Sequence, residues 1–272
     1  MKITYDRFVS IMSAKNKPAA VVKPGDTVVF ETRDCFGSQY KHGNEDESDI
    51  DKSLINPATG PLYIDGAEPG DCLKVTIVDI KLVGKAQMEK RFFFEITDGL
   101  LIFDGKTTIP INPMVGVIGT APPVGVDVPT HTPGMHGGNM DCTMITAGAL
   151  VYLPVNVPGA LLAMGDLHAV MGDGEVCGYG AEIAGEVTVR VDIIKGFKHP
   201  LPLVEKDGVV AAVASADTLD EACRLAVENM AEYLVNIGYS KDKAMLLLSL
   251  KGDLGVCQIV NPLKTARMEF MV

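Results

Sequence analysis

Residues 73–82, LKVTIVDIKL, decide the fold class, because apolar and polar side chains alternate along most of this stretch. Residues 186–193, EVTVRVDI, repeat the alternation. A period of two places one set of side chains on a buried face and the other in solvent, as in an antiparallel strand. Between residues 18 and 190, other short apolar runs are separated by turn residues. The sequence therefore predicts a mainly β fold, an antiparallel sandwich or barrel.

The pattern changes after about residue 202. Thr218 and Glu221 have the spacing of a capping box, the apolar residues that follow have helical spacing, and Gly238 marks the end of this predicted helix. The sequence SKDKAMLLLSL, residues 240–250, predicts a second and more buried helix that is capped by Ser240.

Strands are predicted on either side of these helices, at residues 208–214, GVVAAVA, and 255–260, GVCQIV. The last quarter of the chain is therefore predicted to be an α+β unit. We predict a β-rich domain over residues 1–200 that carries the active site and an α+β subdomain over residues 201–272, with two helices packed on short strands.

Composition excludes several classes of partner. The net charge of −11 and the sequence pI near 4.9 argue against binding to nucleic acid or to an anionic membrane surface. No apolar run reaches the roughly 18 residues of a spanning helix, and the first 20 residues do not resemble a secretory signal. We therefore expect a cytoplasmic protein. An apolar chain without tryptophan also predicts apolar surface hidden in a homodimer or higher homo-oligomer.

The six cysteines are scattered and form no C-x-x-C pair, which argues against a disulfide framework or a structural zinc knot. We expect most of them to be buried thiols that behave as small apolar side chains.

Three glycine-rich segments concentrate the metal-competent side chains, each at the end of a predicted strand. They are residues 31–39, ETRDCFGSQ, residues 134–141, GMHGGNMD, and residues 165–182, GDLHAVMGDGEVCGYGAE. In the third segment, Asp166 and His168 are two apart and should project from the same face of a strand. Such nitrogen and oxygen ligands suit a divalent ion such as Zn²⁺ with an open position for water.

Each of these features also fits a structural role. Residues 172–175, GDGE, fit a solvent-exposed turn, and Asp166 with His168 fits a hydrogen-bonded pair that holds no metal. Residues 136–141 fit a glycine turn with asparagine and aspartate hydrogen bonds, and Asp34 fits the end of a strand. Asp141 favours the functional interpretation, because an unpaired carboxylate before a buried run would be costly.

Taken in order, these motifs resemble the central block of the acetamidase/formamidase family. The matching motifs are HGGN-x-D at residues 136–141, LPV at 153–155, GD-x-HA at 165–169, GDGE at 172–175 and the later Glu182. The segments ETRDCFG, residues 31–37, and DLGVCQIVNP, residues 253–262, also lie where this family has comparable segments. The resemblance thus extends over nearly the whole chain.

The resemblance implies a β-rich amidohydrolase that converts small linear amides, such as formamide and acetamide, to a carboxylate and ammonia. It also implies a divalent metal, Zn²⁺, with Ca²⁺ as a candidate for a second site. The family-like positions are Asp34, His136, Gly137, Gly138, Asn139, Asp141, Asp166, His168, Asp173, Glu175 and Glu182. Met171 and Tyr179 depart from the family pattern, which leaves the acyl group of the substrate open.

We predict that the metal is held by Asp141 and His168 together with one or two of His136, Asp34 and Asp166. The predicted catalytic residues are Glu182, Asn139, Asp173 and Glu175, and Glu182 or another of these carboxylates carries the proton to nitrogen. Asn139 and the backbone amides of Gly137 and Gly138 are the predicted oxyanion donors, since glycine lets backbone approach a small carbonyl closely.

Three other functions remain open at this stage. The first is a metal-free hydrolase in which a glutamate activates water. The second is a cupin-like metal-binding barrel, suggested by residues 158–170, PGALLAMGDLHAV, although the chain has no H-x-H motif. The third is a β protein that binds a small ligand without turnover.

Overall fold

The computed structural model describes residues 1–40, 50–89 and 92–272, and it shows the mainly β, antiparallel fold that the alternation predicts. The first strands are β1 Lys2–Ile3, β2 Phe8–Val9, β3 Ile11–Ser13, β4 Ala20–Val22, β5 Thr27–Thr32, β6 Ala58–Ile64 and β7 Cys72–Met88. The next are β8 Phe92–Phe94, β9 Ile96–Thr97, β10 Leu100–Ile102, β11 Thr108–Pro110, β12 Met114–Gly119, β13 Asp127–Pro129 and β14 Gly137–Asn139. The last are β15 Leu150–Pro154, β16 Leu162–His168, β17 Glu182–Ile194, β18 Leu203–Lys206, β19 Val209–Ala216, β20 Asp253–Gln258 and β21 Lys264–Met271.

The helices of the described residues are α1, Leu219–Asn236, and α2, Lys241–Lys251, and a short 3-10 helix spans Lys52–Leu54. Neither α-helix in this part of the chain has the length and apolarity that crossing a membrane requires.

The two alternating stretches belong to neighbouring strands. Strands β7 and β17 pair antiparallel over most of their length, from Glu182 opposite Gln87 to Ile194 opposite Cys72. Their inward side chains, including Val75 and Val189, are fully buried in the main apolar core. The alternation in both stretches therefore comes from one shared buried face.

Three further strands bring the polar segments to one place. Strand β12 pairs with β14 on one side and β16 on the other, and β16 pairs in turn with β17. His168, the last residue of β16, lies opposite Glu182, the first residue of β17. The ends of β14 and β16 and the start of β17 thus meet around β12.

The C-terminal helix boundaries follow the predicted capping signals. Thr218 precedes α1, and its hydroxyl accepts a hydrogen bond from the Glu221 amide at 3.3 Å, as the capping pattern predicts. The Glu221 side chain does not complete the reciprocal bond and instead pairs with Arg224 at 2.6 Å. Gly238 follows the end of α1, which confirms the predicted stop.

The prediction of a more buried second helix is wrong. Ser240 does precede α2, but its side chain makes no capping hydrogen bond. Met245, Leu246 and Leu250 are 44%, 63% and 83% exposed. The buried residues of α2 are Ala244 and Leu248. Consecutive leucines point to different faces of a helix. Because α2 packs mainly against α1, only one face of α2 is covered and the other leucines stay exposed.

The domain boundary near residue 200 stays a prediction. Helix α1 packs on β19 and β21 and forms a separate apolar cluster with them, which includes Val210, Met230 and Phe270. The strands from β18 onward also continue the hydrogen-bonded sheet, because β18 pairs with β15.

Candidate functional site

Five buried side chains from separate segments converge at the ends of β14, β16 and β17. The ligand atoms of Asp141, Asp166 and His168 lie within 4.8 Å of one another, and so do those of His168, Glu175 and Glu182. Asp141 and His168 have no exposed surface. The second and third glycine-rich segments therefore supply one compact site.

Strand pairing positions His168 between two carboxylates. Asp166 and His168 lie on the same face of β16, as their spacing predicts, and Nε2 of His168 is 3.6 Å from Oδ1 of Asp166. The same Nε2 is 3.1 Å from Oε1 of Glu182, on the neighbouring strand. That Oε1 also accepts a hydrogen bond from the Gly180 amide at 2.9 Å, so Glu182 is held in place beside the imidazole.

The backbone is strained at three of the carboxylates. Asp141, Asp166 and Glu175 have φ angles of 47°, 57° and 47°, in the left-handed region. This conformation costs roughly 1–2 kcal/mol for a residue with a side chain, and such strain is concentrated at functional sites. The fold therefore stabilises an arrangement that is locally unfavourable and that brings these carboxylates together.

The site carries an excess of buried negative charge. Among the described residues, no lysine or arginine forms an ion pair with Asp141, Asp166, Glu175 or Glu182. Burial, followed by the repulsion of Asp166, raises the pKa of Asp141 to about 7. Burial, followed by the repulsion of Asp141, raises the pKa of Glu175 to about 10. The nearest cationic group in the described part of the chain is the imidazole of His168: burial opposes its charge, but Glu182 and Asp166 raise its pKa above the ordinary value. A bound cation would suit the remaining carboxylates.

Unpaired ligand atoms point to the same conclusion. Buried atoms without a hydrogen-bond partner include Oδ1 of Asp141, Oε2 of Glu175, Oε2 of Glu182 and both ring nitrogens of His168. Leaving such groups unpaired is expensive. A divalent ion bound by oxygen and nitrogen would satisfy them, so the residues fit a metal site.

Gly116 of β12 provides the space in which two of these carboxylates meet. A Cβ atom at this position would lie 2.6 Å from Oδ1 of Asp141 and 2.7 Å from Oδ2 of Asp166. Sequence reasoning missed this residue, because the requirement comes from neighbours in space and not from a turn.

We predict that Gly116→Ala weakens Zn²⁺ binding by about 10-fold to 100-fold, since the methyl group forces the two carboxylates apart. Calorimetric titration of the metal-free protein measures the affinity. Gly105→Ala is the matched control, because a Cβ there meets no atom within 4 Å. Equal Zn²⁺ affinity in the two variants would contradict the role of Gly116.

Asp34 and His136, two of the predicted metal ligands, lie outside the ligand groups found among the described residues. Asp34 closes a turn: it accepts hydrogen bonds from the amides of Phe36 and Ser38 at 2.9 Å and 3.0 Å. His136 is buried with Nε2 unpaired, and burial lowers its pKa to about 4, so its ring is neutral. From the first polar segment, the side chain near Asp166 and Glu182 is that of Cys35.

Asp173 also lies outside these ligand groups and is engaged elsewhere. Its two oxygens accept hydrogen bonds from the Arg267 guanidinium at 2.9 Å and 2.7 Å, and Thr143 donates to it at 2.8 Å. Arg267 is 8% exposed, so this bidentate pair compensates a nearly buried cation. The geometry supports a structural role for Asp173.

We predict that Asp173→Asn lowers the free energy of unfolding by about 1–2 kcal/mol, because Arg267 loses its bidentate anion but keeps Glu269 at 2.6 Å. Urea unfolding measures the loss, and metal content and turnover are measured on the same preparation. Metal content should stay at the wild-type value. Wild-type stability combined with lost turnover would instead support the predicted catalytic role.

The predicted oxyanion donors differ in their positions. The Gly137 amide donates to the Gly134 carbonyl at 3.0 Å and is therefore already paired within the turn. Gly137 and Gly138 belong to β14, where Gly138 lies opposite Ile118. Asn139 is the one of the three that lines the cleft above the site. It is thus the donor best placed to reach a substrate.

A cleft of about 710 Å³ opens from the site to the surface. The cleft is lined by polar and by apolar side chains. The polar ones include Asn139, Asp166, Glu175 and Glu182. The apolar lining includes three aromatic rings. The centroid of the Phe36 ring lies 5.0 Å from the centroid of Tyr40 and 5.5 Å from the centroid of Tyr179. Tyr179, which departs from the family pattern, therefore lines this cleft.

Asn261 is a site residue that sequence reasoning missed. Its Nδ2 donates to Oδ2 of Asp141 at 2.7 Å and to the carbonyl of Asn139 at 3.2 Å. The segment that contains it, residues 253–262, carries a predicted strand and a likeness to the family, neither of which assigns a role to Asn261. An asparagine before a proline is typical of a turn, and no local signal connects it to a carboxylate 120 residues away.

Comparison with known proteins identifies the relatives of this chain. The family model described as "Acetamidase/Formamidase family" matches residues 15–112 and 124–262. A formamidase of Methylophilus methylotrophus is 28% identical over 90% of this chain and 84% of its own length. The crystal structure of an acetamidase from Bacillus halodurans superimposes with a TM-score of 0.95 and 43% identity, covering 99% of this chain and 97% of that one. A predicted acetamidase/formamidase from Thermoanaerobacter tengcongensis gives a TM-score of 0.95 and 42% identity, over 99% and 94% of the two chains.

Proposed function

This chain belongs to the acetamidase/formamidase family, and on that premise we propose that it hydrolyses small linear amides with a divalent metal at the buried carboxylate site. The family relatives support an amidohydrolase that acts on linear amides such as formamide and acetamide. The products are a carboxylate and ammonia.

The observation that carries the metal role is the convergence of four buried carboxylates on one buried histidine. One oxygen each of Asp141, Glu175 and Glu182 has no hydrogen-bond partner, and no lysine or arginine of the described residues is ion-paired to the four carboxylates. Asp141, Asp166 and His168 would hold the ion, and Glu182, whose Oε1 lies 3.1 Å from Nε2 of His168, would place a further negative charge beside it. A bound Zn²⁺ lowers the pKa of a water to about 7 and polarises a carbonyl. Ca²⁺, which prefers oxygen ligands, stays a candidate for a second site beside the remaining carboxylates.

Amide nitrogen is a poor leaving group, so hydrolysis also needs a proton donor. The sequence favoured Glu182 for this task, whereas the geometry favours Glu175. Glu182 is held between the Gly180 amide and His168. Glu175 lines the cleft, and burial together with the neighbouring Asp141 raises its pKa, which favours the protonated form. We therefore assign the transfer to nitrogen to Glu175.

Asn139 is the proposed hydrogen-bond donor to the carbonyl oxygen of the substrate. It lies on the cleft beside the carboxylates, and the hydrogens of its side-chain amide are suited to an oxygen that gains negative charge. Water would add to the carbonyl carbon and Asn139 would stabilise the oxygen that becomes negative. The carbon–nitrogen bond would then break as nitrogen takes the proton from Glu175, and the proton that the water loses would restore Glu175.

Ammonia release from a panel of linear amides tests the proposed reaction. The panel starts with formamide and acetamide and extends to longer and aromatic acyl groups, since Tyr179 and Phe36 line the cleft. We expect saturable ammonia release from at least one member. Binding of these amides without any release of ammonia would instead support a ligand-binding protein.

We also propose a homodimer or a higher homo-oligomer. Apolar side chains that are exposed in the single chain support this, among them Leu246 and Leu250 of α2 and Leu254 of β20. Light scattering that shows a pure monomer would contradict it. A cytoplasmic location stays a prediction from the sequence.

A further inference from the structure

We infer that Asn261 is a positioning residue for Asp141, which holds one carboxylate oxygen so that the other faces the metal position. The inference rests on the proposed function. It assigns a role in the site to a residue of the C-terminal part of the chain, which the sequence analysis placed in a separate subdomain.

The hydrogen bonds of Asn261 determine how its side chain is oriented. Nδ2 donates both of its hydrogens, one to Oδ2 of Asp141 at 2.7 Å and one to the Asn139 carbonyl at 3.2 Å. Both partners are acceptors, so a rotated carboxamide would place oxygen against oxygen and lose both bonds. Oδ2 of Asp141 is therefore held, while Oδ1 is buried without a partner and turned to the site.

A buried glutamine fixes the loop that carries Asn261. Gln258 has no exposed surface, and its Oε1 accepts hydrogen bonds from the amides of Val260 and Asn261, both at 2.9 Å. Its Nε2 donates to the Leu263 carbonyl at 2.7 Å and to the Thr265 hydroxyl at 2.8 Å. The loop is thus held from inside, and Asn261 reaches Asp141 from a rigid base.

A carboxamide suits this position better than a charged donor. Asp141 has a left-handed backbone and lies against Asp166, so its side chain needs a partner that fixes its rotation. A lysine or arginine would neutralise the carboxylate and compete with the metal for it. Asparagine donates a hydrogen bond without adding charge, and such supporting partners commonly contribute 10-fold to 100-fold in metal affinity.

Titration of metal-free protein with Co²⁺ tests this inference, because visible absorption reports both the affinity and the ligand geometry. The variants are Asn261→Ala and Asn261→Leu, the second of which keeps the side-chain volume. We expect each to raise the Co²⁺ Kd by about 10-fold to 100-fold and to change the Co²⁺ spectrum. The Tm of each metal-free variant should fall only modestly, because two hydrogen bonds are lost, and by too little to account for the weaker binding. Asn236→Ala is the matched control, since Asn236 donates one bond to the Lys198 carbonyl at 3.0 Å, away from the site.

The outcomes separate this inference from the proposed function. Wild-type Kd and spectrum in both Asn261 variants would overturn the inference while leaving the metal site intact. A lower Tm of the metal-free variants that accounts for the weaker binding would also overturn it, because it would show a general structural role. Failure of the wild-type chain to bind Co²⁺ or Zn²⁺ would overturn both the metal role and the inference.

Discussion

Asp141→Asn is expected to lose its metal and to lower kcat/KM by about 10³-fold to 10⁴-fold. The exchange keeps the shape of the side chain and an acceptor for Asn261, but it removes the charge that a divalent ion needs. Metal ions supply several kcal/mol of transition-state stabilisation, and roughly 5 kcal/mol corresponds to this loss in rate.

The stability of the metal-free variant distinguishes a functional Asp141 from a structural one. Asp141 is fully buried, and its charge is opposed by burial and by Asp166. Removing that charge relieves repulsion in the metal-free protein. We therefore expect a free energy of unfolding equal to or above the wild-type value, measured by urea unfolding after chelation.

Asp34→Asn is the matched control for Asp141→Asn, because Asp34 was also a predicted ligand but closes a turn with Phe36 and Ser38. It should keep a normal metal content, as measured by elemental analysis of the purified proteins. Normal metal stoichiometry in Asp141→Asn would remove Asp141 from the ligand set.

Glu175→Gln is expected to lower kcat by about 10²-fold to 10⁴-fold, which is the usual contribution of a positioned proton donor. Glutamine fills the same volume on the cleft but has no acidic proton to give to nitrogen. The three ligands Asp141, Asp166 and His168 remain, so metal content should be retained. Steady-state ammonia release on metal-loaded protein measures the effect.

Two comparisons make the Glu175 result decisive. Glu228→Gln, on the exposed side of α1, is the control and should leave kcat unchanged. Glu182→Gln should instead weaken metal binding, because it removes a negative charge 3.1 Å from Nε2 of His168, beside the proposed ion. An unchanged kcat in Glu175→Gln would show that another group supplies the proton.

The fold was predictable from the sequence where the order of apolar and polar residues reflects the burial of one face of a strand. The alternation in residues 73–82 and 186–193 comes from one buried face that β7 and β17 share, so a local pattern correctly predicted both strands but not that they pair. The burial of α2 was not predictable in the same way. Its leucine run is compatible with any face being covered, and which face is covered depends on where α1 lies.

Part of the site was predictable because the spacing of residues along a strand determines which side chains share a face. Asp166 and His168 lie together on one face of β16, as a spacing of two in a strand predicts, but the left-handed backbone of Asp166 is not contained in that pattern. Whether Asp34 or Cys35 points inward depends on the turn that Asp34 closes, and sequence spacing does not contain that information. Asp173 and Glu175 are also two apart, yet Arg267 draws Asp173 away from the ligand groups. Gly116 and Asn261 act through partners far along the chain, and no local motif marks them.

The most direct test of the metal-dependent mechanism is the activity of one preparation measured before and after its metal is removed. Ammonia release from formamide and acetamide is assayed on purified protein, on protein dialysed against a chelator, and on dialysed protein supplied again with Zn²⁺. Elemental analysis accompanies each assay. The mechanism predicts that activity falls with metal content and returns when Zn²⁺ is restored. Full activity in a demonstrably metal-free preparation would contradict it and would favour a hydrolase in which a glutamate alone activates water.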